Sequence, residues 1–326
     1  MTSTRSSPPV AVVNNPSQLL FAIEAADAFS HRVHDLRVVI VPTPGARDGS
    51  LYKTVLRAAQ IRDIHRFGVD SLSRTGRLRD VVRLVHTTDP SSRVITPMIN
   101  YFPARALINR AGKNATVTDD GSWTIYFAKQ RHDGKSQFRT PLHAALPFGR
   151  LPKSLNFYTI YDELVAGRYD NVIANRLEWS KRTFFRGRRG THMVILGSDL
   201  SRSGHLTETV FQQHVARLRE YHSGPTEYWP HRRESLALAE VMCQRFNMRL
   251  RDRALPLEAE ILAVDPSPVV IGTLPSTATR TLRILQKTVG YRIVVSVPRD
   301  ADIALSKSDL FEGVSRSAKA DADELL

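Results

Sequence analysis

Short apolar runs separated by amphipathic stretches recur along the chain. Residues 10–13, 36–41, 115–118, 156–161, 192–196, 227–229, 269–272 and 291–297 are dense in aliphatic and aromatic side chains, the pattern of strands that a sheet buries on both faces. Residues 261–264 read as β-prone on the same grounds. Leu19, Leu20, Ile23 and Ala26 recur at helical spacing after Asn15-Pro16, an N-cap followed by proline at the first helical position. Further helices are predicted over 51–61, 77–85, 103–110, 208–221, 236–246 and 278–288. Strands alternating with helices in this way imply parallel sheets joined by right-handed crossovers.

The alternation falls into two series, so the predicted fold class is α/β with two consecutive Rossmann-like domains, residues 1–165 and 166–313, facing each other across a cleft. The tail, 314–326, is small and charged and is expected to be disordered. Residues 129–154 are basic, broken by Pro141, Pro147 and Pro152, and read as one long loop.

A chain of 326 residues with 42 % hydrophobic content supports a substantial core and makes two domains the default. One cysteine, Cys243, cannot form an internal disulfide, which fits a reducing compartment. The polar N-terminus and the short apolar run at Val10 do not make a signal-peptide core, and no run has the length of a membrane span; the expected location is cytoplasmic. A net charge of +14 makes polyanions or an anionic membrane surface credible neighbours. The densest cations, Lys181, Arg182, Arg186, Arg188 and Arg189, surround Phe184 and Phe185. That cluster reads equally as a solvated linker with its aromatic pair docked on the core, or as a peripheral site at the inner face of the cell membrane.

Gly-x-Gly-x-x-Gly, the P-loop pattern, the Gly-x-Ser-x-Gly elbow and zinc-ligand clusters are absent from the sequence, which disfavours the function classes those motifs serve. Three corners between predicted elements remain. Asp119-Asp120-Gly121-Ser122 stands at the C-terminal end of a strand, where ligands of open parallel sheets bind; the same residues also fit a plain Asp-Gly turn. Tyr228-Trp229-Pro230-His231 leads from a strand into a basic turn, and Gly272 to Thr277 joins a strand to a helix start with two hydroxyls. A histidine with hydroxyls and helix-terminal N–H groups suits a phosphate, and an aspartate raised in pKa by its neighbour suits a base for a hydroxyl nucleophile. Alternate side chains of an extended segment point opposite ways, so one of Asp119 and Asp120 should face the ligand.

With these residues in view, the chain resembles the bacterial sialyltransferases of the GT-B fold, close to the lipooligosaccharide sialyltransferases and the capsule polysialyltransferases. The likeness runs from Val12-Val13-Asn14-Asn15-Pro16-Ser17 to Ser276-Thr277 and takes in Asp119-Asp120-Gly121, His231 and Pro256-Leu257-Glu258. It departs from the family in one place: Arg232 follows the histidine where proline is common. The resemblance implies that Asp120 deprotonates the acceptor hydroxyl and that His231 contacts the CMP phosphate as general acid or electrostatic stabiliser. It implies that Ser276 and Thr277 hold that phosphate, that Glu258 holds the ribose, and that Tyr228 and Trp229 lie near the cytosine, with Gly197 and Gly272 on the donor side. Asn15, Ser17, Asp119, Gly121 and Ser122 would face the acceptor, a glycan or glycolipid.

The expected donor is CMP-sialic acid or a related CMP-nonulosonate, bound in the C-terminal domain and used without a metal or other cofactor. A transferase of another nucleotide sugar is the alternative among enzymes. A non-catalytic, basic polyanion-binding protein is the alternative outside them, although no nucleic-acid-binding motif is present.

Overall fold

The apolar runs pair into two all-parallel sheets in the computed structural model, which describes residues 7–41, 49–66, 82–99, 101–133, 151–161, 164, 166–299, 303 and 308–326. Each sheet belongs to its own compact unit, the first ending at Trp179 and the second running from Ser180 to Leu326.

The first unit holds seven strands: β1 (Val10–Val13), β2 (Arg37–Ile40), β3 (Ile64–Arg66), β4 (Val94–Thr96), β5 (Ala115–Val117), β6 (Asn156–Thr159) and β7 (Asn171–Ala174), in the spatial order β3-β2-β1-β4-β5-β6-β7. β1 is wholly buried, as a continuous apolar run predicts, and Val10 and Val12 join Val39, Val94, Leu107, Val117 and Phe157 in one core. Helix α1 (Pro16–Ala28) follows β1 directly. Asn15 Oδ1 accepts the Gln18 N–H at 2.9 Å as its N-cap, and Pro16 sits at the first helical position. Helices α2 (Gly49–Ala58), α3 (Phe102–Ala111) and α4 (Ser122–His132) come next in the chain. Residues 82–87 are helical, and the rest of the helix predicted over 77–85 lies outside the described residues.

The boundary expected at 165/166 moves to Trp179/Ser180. β7 pairs with β6 over its whole length, and Asp170 binds both Arg131 and the Leu155 N–H, so residues 166–170 form a turn within the first sheet and not a linker. The loop expected from residue 129 begins as the last turn of α4, while 134–150 lie outside the described residues.

The division falls within α5 (Glu178–Phe184), and the second unit continues with β8 (Met193–Leu196), α6 (Glu208–Glu220), β9 (Thr226–Trp229), α7 (Leu236–Arg245), β10 (Arg249–Leu250), α8 (Leu257–Ala263), β11 (Val270–Thr273), α9 (Ala278–Val289), β12 (Arg292–Val295), α10 (Ser308–Asp321) and β13 (Glu324–Leu325). Its six strands run β10-β9-β8-β11-β12-β13. Residues 261–264, expected as β, belong to α8: Pro256 opens that helix with Glu258 and Glu260 in its first turn, and a short apolar run has no period of its own to oppose them.

The tail is ordered structure rather than the disordered segment its composition suggested. Its acidic residues meet basic ones on the preceding elements: Asp321 binds Arg280 at 3.0 Å, Asp323 binds Arg283 at 3.0 Å and Glu324 binds Arg292 at 2.8 Å. β13 then adds in parallel to β12.

Candidate functional site

In each sheet the strand order reverses beside the first strand of the unit, between β1 and β4 and between β8 and β11. Ligands of doubly wound sheets bind at the carboxyl ends of strands flanking such a switch point. Of the candidates, Asn15 follows β1, Gly197 follows β8 and Ser276 and Thr277 follow β11, while Asp119 to Ser122 follow β5 and His231 follows β9, each one strand further out.

In the first unit, β5 ends at the carboxylate corner. Asp119 is buried; Thr159 Oγ1 donates to its Oδ1 at 2.5 Å and the Ile160 N–H to its Oδ2 at 2.8 Å, so this side chain ties the end of β5 to the end of β6. Burial raises its pKa to about 7 against those two hydrogen bonds, and the Asp120 charge adds to the rise. Asp120, next in the chain, is half-buried, and Gln18 Nε2 donates to its Oδ1 at 2.8 Å. Of the two carboxylates, Asp119 is therefore the pKa-raised structural clamp and Asp120 the accessible one.

Two local devices set that corner. Gly121 has φ of +59°, a conformation that favours glycine, and it caps α4. Thr124 Oγ1 accepts the Asp120 N–H at 2.8 Å, closing the helix start from inside. Gln18 is the residue that sequence reasoning missed. It is fully buried on the first turn of α1, its Oε1 accepts the Asn14 N–H at 2.8 Å, and its amide spans to Asp120 across the end of β4. A buried glutamine in an apolar helix is the signal that could have found it. Asn15 serves as the helix cap, its amide donating to Asn14 Oδ1 at 3.1 Å. Ser17 is half-buried on the first turn of α1, and Ser122 is the first residue of α4.

In the second unit, β9 carries the histidine corner. The His231 N–H donates to Glu234 Oε2 at 2.6 Å, Glu234 N–H returns to the His231 carbonyl at 2.9 Å, and Tyr228 Oη donates to Glu234 Oε1 at 2.7 Å. Glu234 is thus the internal brace of the turn, and burial raises its pKa to about 7. Gly197, at the end of β8, lies against the same brace. A β-carbon there would run into the Glu234 carboxylate and stand 2.6 Å from the His231 nitrogen and 2.8 Å from the Tyr228 hydroxyl.

The His231 ring is half-buried, and its Nδ1 accepts the Arg233 N–H at 3.3 Å. Burial lowers its pKa; Asp199 opposes that shift, and the cations Arg253, Arg232 and Arg233 reinforce it. Arg253, a second residue that spacing did not reveal, donates from Nη2 to the Pro230 carbonyl at 3.2 Å and lies in the field of Glu258 and Glu260. Arg232, where the family often has proline, leaves the turn closed by Glu234.

Ser276 and Thr277 stand half-buried after β11, at the same edge of the sheet on the other side of β8. Two strand spacings separate the two loops, about 10 Å. Ser276 Oγ accepts the Ala278 N–H at 3.2 Å and its carbonyl accepts Thr279 Oγ1 at 2.6 Å, so Ser276 shapes the start of α9.

Other expected donor-side residues are placed differently. Tyr228 and Trp229 are fully buried in β9, their polar atoms bound to Glu234 and Glu227, and so form the wall behind the turn rather than a face open to a base. Gly272 lies inside the core, where a β-carbon would meet Met193 and Leu218; it serves sheet-to-helix packing, not ligand approach. Glu258 is buried in the first turn of α8.

Cys243 is buried, and desolvation lifts its thiol pKa to about 11, an inert group. Among the described residues no group of three or more His, Cys, Asp or Glu side chains could hold a metal ion, and no helix is long and apolar enough to cross a membrane. In the basic cluster Phe184 is buried and Phe185 is 36 % exposed, so one aromatic docks on the core rather than a pair. Arg186, Arg188 and Arg189 are exposed beside it, Arg188 reaching Asp265 at 3.3 Å.

No family model matches the chain, and no curated protein matches it. Among solved structures, the α/β-galactoside α-2,3-sialyltransferase of the luminous marine bacterium Photobacterium phosphoreum is similar at a TM-score of 0.55 and 11 % identity, covering 99 % of each chain. A sialyltransferase from Photobacterium damsela is similar at a TM-score of 0.47 and 10 % identity, over 98 % of this chain and 81 % of that one. A glycosyltransferase from Rickettsia africae has a TM-score of 0.45 and 9 % identity, over 97 % and 93 %. Two parallel-sheet α/β units, alike end to end to the first of these structures, give the chain a GT-B fold of the kind seen in a bacterial sialyltransferase.

Proposed function

We propose that the chain is an inverting glycosyltransferase that moves sialic acid, or a related nonulosonic acid, from its CMP donor to a hydroxyl of a glycan or glycolipid. The observation that carries this reading is the division of labour in the carboxylate corner. Asp119 is consumed by Thr159 and Ile160, while Asp120 is half-buried and held by Gln18 at 2.8 Å. A base at that strand end takes the proton of the attacking hydroxyl as its oxygen bonds to the anomeric carbon and the bond from that carbon to the phosphate breaks. The departing phosphate gathers negative charge, which suits the histidine turn, Arg253 and the hydroxyl-lined start of α9. Protein donors then take the part that a divalent cation has with diphosphate donors.

The experiment is CMP release from CMP-sialic acid with a mixed glycan acceptor pool, read by mass spectrometry. Asp120→Asn lowers transfer by roughly 10²- to 10⁴-fold, the range for loss of a general base, while CMP still raises the melting temperature. Full turnover in Asp120→Asn would sink the base assignment. Protection by UDP or GDP in place of CMP would point to another nucleotide sugar. Salt-sensitive DNA binding without any transfer would favour a non-catalytic polyanion binder. We further propose that the exposed cations Arg182, Arg186, Arg188 and Arg189 rest on acidic lipid headgroups; charge reversal of the three residues 186, 188 and 189 should abolish sedimentation with phosphatidylglycerol vesicles.

A further inference from the structure

We infer that His231 works at the donor phosphate as a neutral imidazole donating from Nε2, and that the Arg253 guanidinium, rather than an imidazolium, supplies the positive charge of the corner. The inference rests on the proposed reaction for the identity of the anion alone. The tautomer follows from the turn itself. The Arg233 N–H points at His231 Nδ1 across 3.3 Å, and a backbone N–H can only donate, so Nδ1 must carry the lone pair and Nε2 the proton. An imidazolium would set two N–H groups against each other at that contact. The turn cannot swing the Arg233 amide away without cost, because His231 and Glu234 close it from both sides with hydrogen bonds of 2.6 Å and 2.9 Å.

The charges around the ring agree with the geometry. The charges of Arg253, Arg232 and Arg233 disfavour a further positive charge on the ring, Asp199 favours one, and burial disfavours it most. Asp199 is itself engaged by Arg233 at 3.2 Å. Glu234, the other nearby carboxyl, spends one oxygen on the His231 backbone and the other on Tyr228. A neutral imidazole gives the phosphate a hydrogen bond but no charge. Arg253 is the cation whose position the turn fixes, by its bond to the Pro230 carbonyl one residue before the histidine. Its guanidinium stays charged at any working pH.

The test uses the full chain labelled with ¹⁵N-histidine, with His231→Gln to assign the ring signals, and CMP as the probe. The His231 nitrogens should show the Nε2–H tautomer at pH 7 with and without CMP. Arg253→Met should weaken CMP binding by about tenfold or more, the loss of a charged hydrogen bond, while leaving the tautomer in place, and Arg253→Lys should restore most of the affinity. An imidazolium or an Nδ1–H tautomer at pH 7 would overturn the inference, as would unchanged CMP affinity in Arg253→Met. If the wild-type protein keeps the tautomer and binds no CMP, the proposed donor is wrong and so is the phosphate role, while the tautomer assignment holds.

Discussion

At the scale of single residues, two adjacent aspartates of identical chemistry are separated by one peptide unit into different jobs. Asp119 has its folded pKa raised to about 7, above the unfolded value, so between about pH 4 and pH 7 the folded state holds a proton that the unfolded state has released. Folding stability from this group is therefore present at low pH and falls as pH rises through that window. Asp119→Asn removes the titration. Chemical denaturation of the two proteins should show the variant gaining on the wild type by a few kcal/mol as pH rises from 4 to 8, whatever constant offset the new amide brings. Glu234, also raised to about 7, gives the same slope, so Glu234→Gln should flatten the remainder. His231, whose pKa burial lowers, works in the opposite sense and keeps the wild-type curve shallower than the two carboxyls together would make it.

The glycine of the acidic corner makes a second prediction at this scale. Gly121 holds φ of +59° and ψ of −136°, so Gly121→Ala should destabilise the first unit by about 1–3 kcal/mol. It should also lower transfer, because the peptide it strains is the one that sets the direction of Asp120. Retained turnover with an unchanged denaturation midpoint would contradict this.

Among elements, α1 matters more to the site than its position in the chain suggests. Its N-terminus is fixed by Asn15 and Pro16, and from that fixed end Gln18 reaches Asp120. Gln18→Ala leaves the helix cap intact and should reduce kcat several-fold with little change in donor KM, since it removes one hydrogen bond that orients the Asp120 carboxylate; steady-state kinetics against each substrate would tell. This link also shows where sequence reading stops. β1 and α1 were legible because a continuous apolar run, a cap and a proline all point one way. Asp119 and Asp120 were legible as a pair, but their roles depend on Thr159 and Gln18, which lie far from them in the chain and carry no spacing signal. Trp229 and Gly272 are expected on the donor side only through the family resemblance; in the structure Trp229 is fully buried in β9 and Gly272 packs against Met193 and Leu218. The tail misled for a related reason. A short acidic stretch reads as solvated until the arginines opposite it on α9 and β12 are known.

At the scale of the whole molecule, the two sheets repeat one topological idea, with the strand order reversing beside the first strand of each unit. Asp120, His231, Ser276 and Thr277 all lie just beyond the carboxyl ends of strands, whereas Tyr228, Trp229 and Gly272 lie within strands and Glu258 within a helix. Alternation of apolar runs was enough to predict this doubling, although the division between the units was not, because β7 follows a polar turn that resembles a linker. The reading of a monophosphate leaving group makes a prediction for the protein as a whole: prolonged dialysis against EDTA should leave the transfer rate within about twofold of the untreated enzyme, whereas a diphosphate donor bound through Mg²⁺ would lose most of its rate.

The crowding at Gly197 has a consequence for tracing distant relatives. Three different groups, the Glu234 carboxylate, the His231 amide and the Tyr228 hydroxyl, press on the space a β-carbon would take, so no single compensating change elsewhere makes room for one. In chains that have diverged as far as 11 % identity, a glycine closing the second unit's first strand should therefore co-occur with a glutamate three residues after the histidine. That pair, rather than the histidine alone, is the landmark by which an alignment of such sequences can be anchored and checked.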